Sequence, residues 1–238
     1  MTEAEWETCV EPRQMLRFLG DGARARKLRL FACSCCRRVW PLLTDARSRT
    51  AVEVAERYAD DLATDQEREA ARTATIELDW QITRVDGERD SAREMSNCAS
   101  MSAADDDRAF LPRESDEDDY RAAEDSSQCA AQATVYKRLN KKSERAARGK
   151  ELAAQTGLIR DIFGNPFRPV AFSPSWRTDT AVALARQMYE SRDFGAMPIL
   201  ADALQDAGCE NTDILAHCRI PGLHVRGCWV LDAVLNKQ

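Results

Sequence analysis

Leu28-Arg29-Leu30-Phe31-Ala32-Cys33-Ser34-Cys35-Cys36-Arg37-Arg38-Val39 is the stretch that decides the fold of this 238-residue chain. Counted from Leu28, apolar residues recur at offsets of 3, 4, 7, 11, 14 and 15, the spacing of one continuous helical face. This pattern predicts a helix from Ala23 to Leu43 whose end is distorted by Pro41. The face consists of Leu28, Phe31, Ala32, Cys35, Val39, Leu42 and Leu43.

Helical periodicity continues on both sides of this stretch. Only 10 Gly and 8 Pro interrupt the chain, and 31% of its residues are charged, which suits long solvated helices. The sequence therefore predicts an all-α fold, with at most one short pair of strands near the C-terminus. Residues 1–62 and 157–238 are expected to form a helical body in which the second part packs on the first. Residues 63–156 are expected to project from it as a long antiparallel hairpin with an acidic loop at 105–119.

Charge and composition restrict the classes of partner. The net charge is −6, which makes nucleic acid an unexpected partner for the whole protein. No apolar run reaches the ~18 residues that a membrane helix needs. The N-terminus, Met1–Glu7, is acidic rather than apolar, so it does not resemble a secretory signal. These features predict a cytoplasmic protein whose nine cysteines stay reduced.

Four stretches together resemble a family of uncharacterised bacterial proteins that are abundant in planctomycete genomes. The resemblance covers the two ends of the chain and implies a bacterial, cytoplasmic origin. It implies no activity, cofactor or catalytic residue. The stretches are Met1–Trp6, Arg26–Arg38 with its Cys33, Cys35 and Cys36, Arg160–Pro169, and Leu200–Val230.

The C-terminal cysteines and histidines form the most informative group. Both histidines of the chain, His217 and His224, lie in a segment that also holds Cys209, Cys218 and Cys228. Zinc prefers four Cys or His ligands in a tetrahedron, and Cys209, Cys218, His224 and Cys228 are the candidate set, with His217 as the alternative to Cys218. The spacing matches no standard zinc finger. The competing interpretation is that these cysteines pack as small apolar side chains and that no cofactor is bound.

A second group of cysteines lies in the predicted helix of the opening stretch. Cys35 belongs to the apolar face, whereas Cys33 and Cys36 are neighbours along its edge. They could form a redox pair or half of a metal site, and nearby arginines could lower a thiol pKa. Their position in the middle of a helix favours packing instead, because a thioredoxin-type pair opens a helix.

Charged residues are distributed in blocks. Residues 17–49 carry nine basic and two acidic side chains, and residues 137–150 carry seven and one. Residues 105–125 carry ten acidic side chains against three arginines. Such blocks bind nucleic acid or oppositely charged proteins, or else they form solvated faces that neutralise one another within the fold.

The chain contains none of the common sequence motifs of hydrolases, nucleotide-binding proteins or metalloproteases. The sequence therefore favours a non-enzymatic helical adaptor or scaffold that acts through protein–protein contacts. The alternative is a zinc- or thiol-dependent enzyme or regulator that uses the C-terminal Cys/His group. The identity of the partner and the oligomeric state do not follow from the sequence.

Overall fold

A computed structural model of the chain describes residues 1–20, 23–85, 91–104, 117–134 and 141–237. Twelve α-helices and no strand occur in these ranges, so the all-α prediction is confirmed. The helices are α1 Glu3–Thr8, α2 Pro12–Leu19, α3 Ala25–Arg38, α4 Ala46–Ala59, α5 Asp65–Val85, α6 Ser91–Ala104, α7 Glu117–Ala133, α8 Lys141–Phe163, α9 Asp179–Ser191, α10 Met197–Asp206, α11 Thr212–Arg219 and α12 Trp229–Leu235. They divide into two compact units, Met1–Ile159 and Arg160–Gln238. The expected division at residues 62 and 156 stays a prediction.

The N-terminal unit is built around α3. This helix packs against α4, α6 and α7, and every residue from Leu28 to Cys36 is buried. Six of the seven residues of the predicted face are buried and Leu42 is half-buried, while burial extends around the helix from Leu28 to Cys36. The chain leaves α3 through a 3₁₀ turn at Trp40–Leu42, where Pro41 prevents the helix from continuing.

The long projecting hairpin is not confirmed. Helices α5 and α6 pack against each other, and α6 and α7 both pack on α3. Ala99 and Ala103 of α6 lie in the same apolar cluster as Cys33 and Cys36 of α3. Most of the predicted acidic loop, residues 105–116, lies outside the described residues.

Several arginines of the first basic block form ion pairs within the N-terminal unit. At the end of α3, Arg37 binds both carboxylate oxygens of Glu56, at 3.0 and 2.7 Å. Arg38 binds both oxygens of Glu151 at 2.7 and 2.8 Å. Part of this charge block is therefore neutralised within the fold, by carboxylates that lie outside the acidic block at 105–125.

The C-terminal unit contains α9 to α12 around its own apolar cluster, which includes Met188, Leu200, Leu204 and Leu231. Asn211 caps α11 by accepting hydrogen bonds from the backbone N–H groups of residues 213 and 214, both at 3.0 Å. The nine residues between α11 and α12 are not helical, and they carry His224 and Cys228.

Within the described residues, no helix is both long and apolar enough to span a membrane.

Candidate metal centre

Four side chains with metal-binding chemistry meet in the C-terminal unit: Asp161, His217, His224 and Cys228. One ligand atom from each of them lies within 4.8 Å of every other. Asp161 comes from the last turn of α8 and His217 from the last turn of α11. His224 lies in the loop that follows, and Cys228 is the N-cap residue of α12. Three separate segments thus supply one oxygen, two nitrogens and one sulfur.

Helical geometry explains why His217, rather than its neighbour Cys218, reaches the group. Successive side chains on an α-helix point about 100° apart. Cys218 points into the apolar cluster and is 1% exposed. The adjacent position then directs His217 toward Asp161, with 3.2 Å between Nε2 and Oδ1.

Asp161 is the centre of a hydrogen-bond network. Its Oδ1 lies 2.7 Å from Nδ1 of His224, and its Oδ2 accepts a hydrogen bond of 2.9 Å from the backbone N–H of Val225. His217 Nε2 lies 3.2 Å from the Sγ atom of Cys228. Both carboxylate oxygens therefore hold the loop between α11 and α12 against the end of α8.

Burial and charge set the protonation state of the two acidic ligands. Burial raises the pKa of Asp161, but the hydrogen bonds from His217 and His224 lower it by more, so that the pKa of this carboxyl lies below its usual value. For Cys228, burial raises the pKa well above its usual value, and the nearby Asp161 charge raises it more. In the absence of an ion the group therefore holds a carboxylate and a neutral thiol.

Three of the six distances within the group can be compared with those around a tetrahedral zinc ion. Zinc bonds to N, O and S imply distances of about 3.3–3.6 Å between neighbouring ligand atoms. The distances from His217 Nε2 to Asp161 and to Cys228, both 3.2 Å, are close to this range. The hydrogen-bonded pair of Asp161 and His224 would have to open from 2.7 Å by about 0.6 Å to reach it.

Trp229 contacts His217 at its other ring nitrogen, Nδ1. Its indole Nε1–H donates a hydrogen bond of 3.2 Å to Nδ1 of His217, and the two ring centroids are 5.2 Å apart. On the other side, Trp229 packs against Gly164, the residue that follows α8 at a φ of +71°. A Cβ atom on Gly164 would lie 3.3 Å from Cγ of Trp229. This glycine therefore permits the close approach that positions the indole.

The arrangement does not resemble an activated thiol. Cys228 is fully buried, and the raised pKa of its thiol opposes the thiolate form that a nucleophile requires. The neighbouring His217 accepts a hydrogen bond from Trp229 at Nδ1 and does not donate one to a carboxylate from that nitrogen. The four side chains are of types that can hold a divalent metal ion.

Two of the four candidate ligands from the sequence, His224 and Cys228, belong to this group. Cys209 and Cys218 do not, and both are buried in the apolar cluster of the C-terminal unit. Asp161 was missed because it lies far from the Cys/His segment in sequence. The only sign of it in the sequence was an acidic residue between Leu158 and Ile162, two apolar residues that are fully buried in α8.

The first cysteine group is also buried. Cys33 and Cys36 lie in the apolar cluster of the N-terminal unit, where the Sγ atom of Cys36 is 2.9 Å from the carbonyl oxygen of Ala99. Burial raises the pKa of the Cys36 thiol well above its usual value. These observations favour packing over a redox role for Cys36.

Comparison of the chain with models of protein families, with curated proteins and with solved structures finds no match.

Proposed function

We propose that the C-terminal unit binds a zinc-like divalent ion through Asp161, His217, His224 and Cys228, and that the ion has a structural or regulatory role rather than a catalytic one. The observation that supports this proposal is the convergence of four ligand atoms within 4.8 Å from three segments of the chain. Zinc ligands converge in this way, because each of the four donor atoms must come within about 2.0–2.3 Å of one ion.

The ligand set favours zinc over other common ions. Magnesium and calcium prefer oxygen ligands alone, and copper(I) prefers sulfur. One carboxylate, two imidazoles and one thiol form the mixed set typical of zinc. Because four protein ligands complete a tetrahedron, no position remains open for a substrate, and this favours a non-catalytic role.

Metal analysis of the full chain, purified without chelator, tests the proposal. After equilibration with a slight excess of zinc, we expect about one bound zinc ion per chain, as one tetrahedral site requires. Cys228→Ser should reduce the zinc content strongly. Cys209→Ser is the matched control, since Cys209 is equally buried in the same unit but lies outside the group. Loss of zinc in Cys209→Ser but not in Asp161→Asn would instead support the ligand set expected from the sequence.

Substitution with Co²⁺ tests the closed coordination. A four-coordinate ion gives intense visible absorption and, with Cys228 as ligand, a thiolate-to-metal charge-transfer band. Weak visible bands would indicate an expanded coordination sphere with bound water. That result would favour the enzyme alternative, because catalytic zinc keeps an open position.

A contact function as a helical adaptor is the second candidate. Ile199, Ile220 and Leu223 of the C-terminal unit are 58%, 64% and 49% exposed. Exposed apolar side chains are typical of protein contact sites where they form one continuous patch. Affinity capture from the organism that makes the protein, with the full chain and with Ile220→Glu/Leu223→Glu, tests it. The adaptor proposal requires proteins that the unaltered chain captures and the variant does not.

A further inference from the structure

We infer that Trp229 sets the metal affinity of the centre by holding His217 in the tautomer that opposes coordination, which makes the site a reversible sensor of zinc rather than a permanently filled one. This inference rests on the proposed function. It assigns to Trp229 a positioning role in the same site.

The position of Trp229 is fixed on two sides. Trp229 is the first residue of α12, directly after the ligand Cys228. One face of its indole packs against the backbone of Gly164, and its Nε1–H points at Nδ1 of His217. The indole therefore cannot turn away from the histidine without losing both contacts.

The direction of this hydrogen bond determines where the proton of neutral His217 lies. An indole N–H can only donate, so Nδ1 must accept, and the proton of the neutral ring is on Nε2. From there it can be donated to Asp161 Oδ1 or to Cys228 Sγ, each at 3.2 Å. His224 Nδ1 and the Val225 N–H supply the other donors to Asp161. The group is thus internally satisfied without an ion.

Coordination reverses this arrangement. An ion bound at Nε2 displaces the proton from that nitrogen, and the neutral ring must then carry its proton on Nδ1. That N–H would face the indole N–H at about the present 3.2 Å, so that two donors would point at each other. Metal-bound histidines normally donate the second N–H to an acceptor. Coordination by His217 therefore requires the bond from Trp229 to break.

The consequence is a centre with two stable arrangements. In the metal-free arrangement, Trp229 is bonded to His217. In the metal-bound arrangement, the indole N–H is released, and α12, which begins at Trp229, loses one of its links to α11. Zinc concentration would then determine which arrangement is populated, because a ligand shifts an equilibrium according to its differential affinity for the two states.

The test is a zinc titration of the full chain, by competition with a coloured chelator, for the unaltered protein and for Trp229→Phe. Phenylalanine keeps an apolar ring against Gly164 but removes the donor. In Trp229→Phe, zinc no longer has to break the hydrogen bond from the indole, so we expect this variant to bind zinc about tenfold more tightly, the factor that corresponds to about 1.4 kcal/mol. Trp176→Phe is the control, because Trp176 packs on the apolar cluster of the same unit through its ring contact with Phe172 and is not adjacent in sequence to a ligand. Its affinity should equal that of the unaltered chain.

Long-range proton–nitrogen correlation spectra of the unaltered protein, with isotopically labelled histidine, test the same inference without a substitution. We expect His217 to carry its proton on Nε2 in the metal-free protein and on Nδ1 after zinc is added. An Nδ1-protonated metal-free ring, or equal or weaker zinc binding by Trp229→Phe, would overturn the inference alone. If neither protein binds zinc, the proposed function falls as well.

Discussion

Asp161 is the residue on which the C-terminal unit depends most, because a single buried carboxylate holds two histidines and a loop backbone. Asp161→Asn removes the charge while keeping the size of the side chain. In the presence of chelator, we expect the free energy of unfolding of Asp161→Asn to be about 1.5–3 kcal/mol lower than that of the unaltered chain. This is the usual effect of losing a hydrogen bond to a charged group. Chemical denaturation, monitored by circular dichroism, measures this difference.

Asp202→Asn is the control for that experiment. The Asp202 side chain is 70% exposed and pairs with Arg219 at 2.8 Å on the surface. Exposed pairs contribute only about 0.2–1 kcal/mol, so the control should unfold nearly as the unaltered chain does. Equal losses in the two variants would show that Asp161 is not a special link.

Gly164 and Gly208 form a second matched pair at the level of single residues. Both follow a helix at positive φ, +71° and +85°, so alanine at either position should cost about 1–2 kcal/mol through backbone strain. Only at Gly164 would the new Cβ also press on Trp229, since nothing lies within 4 Å at Gly208. We expect Gly164→Ala to be the more destabilising variant in thermal unfolding, and to shift the fluorescence of Trp229. A larger loss for Gly208→Ala would contradict this account.

The candidate site shows what single residues reveal in a sequence. His224 and Cys228 could be found because rare residue types cluster along the chain. The choice between His217 and Cys218 could not be made, since it depends on the rotation of α11 against its neighbours. Asp161 could not be linked to the others, because helical periodicity identifies a buried face but not the distant segment that covers it.

At the level of elements, α3 behaves as a central helix. Its pattern predicted one buried face, yet Arg29 and Ser34 on the other faces are buried too, because α4, α6 and α7 surround it. Phe31 is fully buried, and Phe31→Ala should lower the free energy of unfolding by about 3–5 kcal/mol. Phe18→Ala, at a side chain that is 36% exposed, should have a clearly smaller effect in the same denaturation experiment. An unchanged midpoint for Phe31→Ala would exclude α3 as the centre of the unit.

Helices α6 and α7 explain why the projecting hairpin was expected and is not confirmed. Their sequences are rich in Ala and Ser, and a thinly apolar helix predicts exposure to solvent. Small side chains also allow helices to approach closely, and Ala99, Ala103 and Ser100 are all buried. Ser127 meets its hydrogen-bonding needs internally, by pairing with the side chain of Gln155 on α8. Hydropathy alone cannot distinguish a solvated polar helix from a closely packed helix with small side chains.

At the level of the whole molecule, the two units should respond differently to zinc. Saturating zinc, at about 1,000 times its dissociation constant, adds about 4 kcal/mol to the state that binds it. We expect slower hydrogen exchange in α11, α12 and the loop between them, and no change in α3 and α4. Exchange mass spectrometry with and without zinc measures this, with Cys228→Ser as the variant that should not respond. Equal protection of both units would contradict a local centre.

The buried cysteines of each unit can report how often that unit opens transiently. None of the nine forms a disulfide; Cys33, Cys35 and Cys36 are buried in the N-terminal unit, and Cys209, Cys218 and Cys228 in the C-terminal unit. An alkylating reagent can reach a sealed thiol only while the surrounding structure is transiently open, so the alkylation rate at each site reports the free energy of that opening. Mass spectrometry can measure the alkylation rates of these two sets of three cysteines in one sample, without an engineered label. The free energies of opening of the two units can therefore be compared directly.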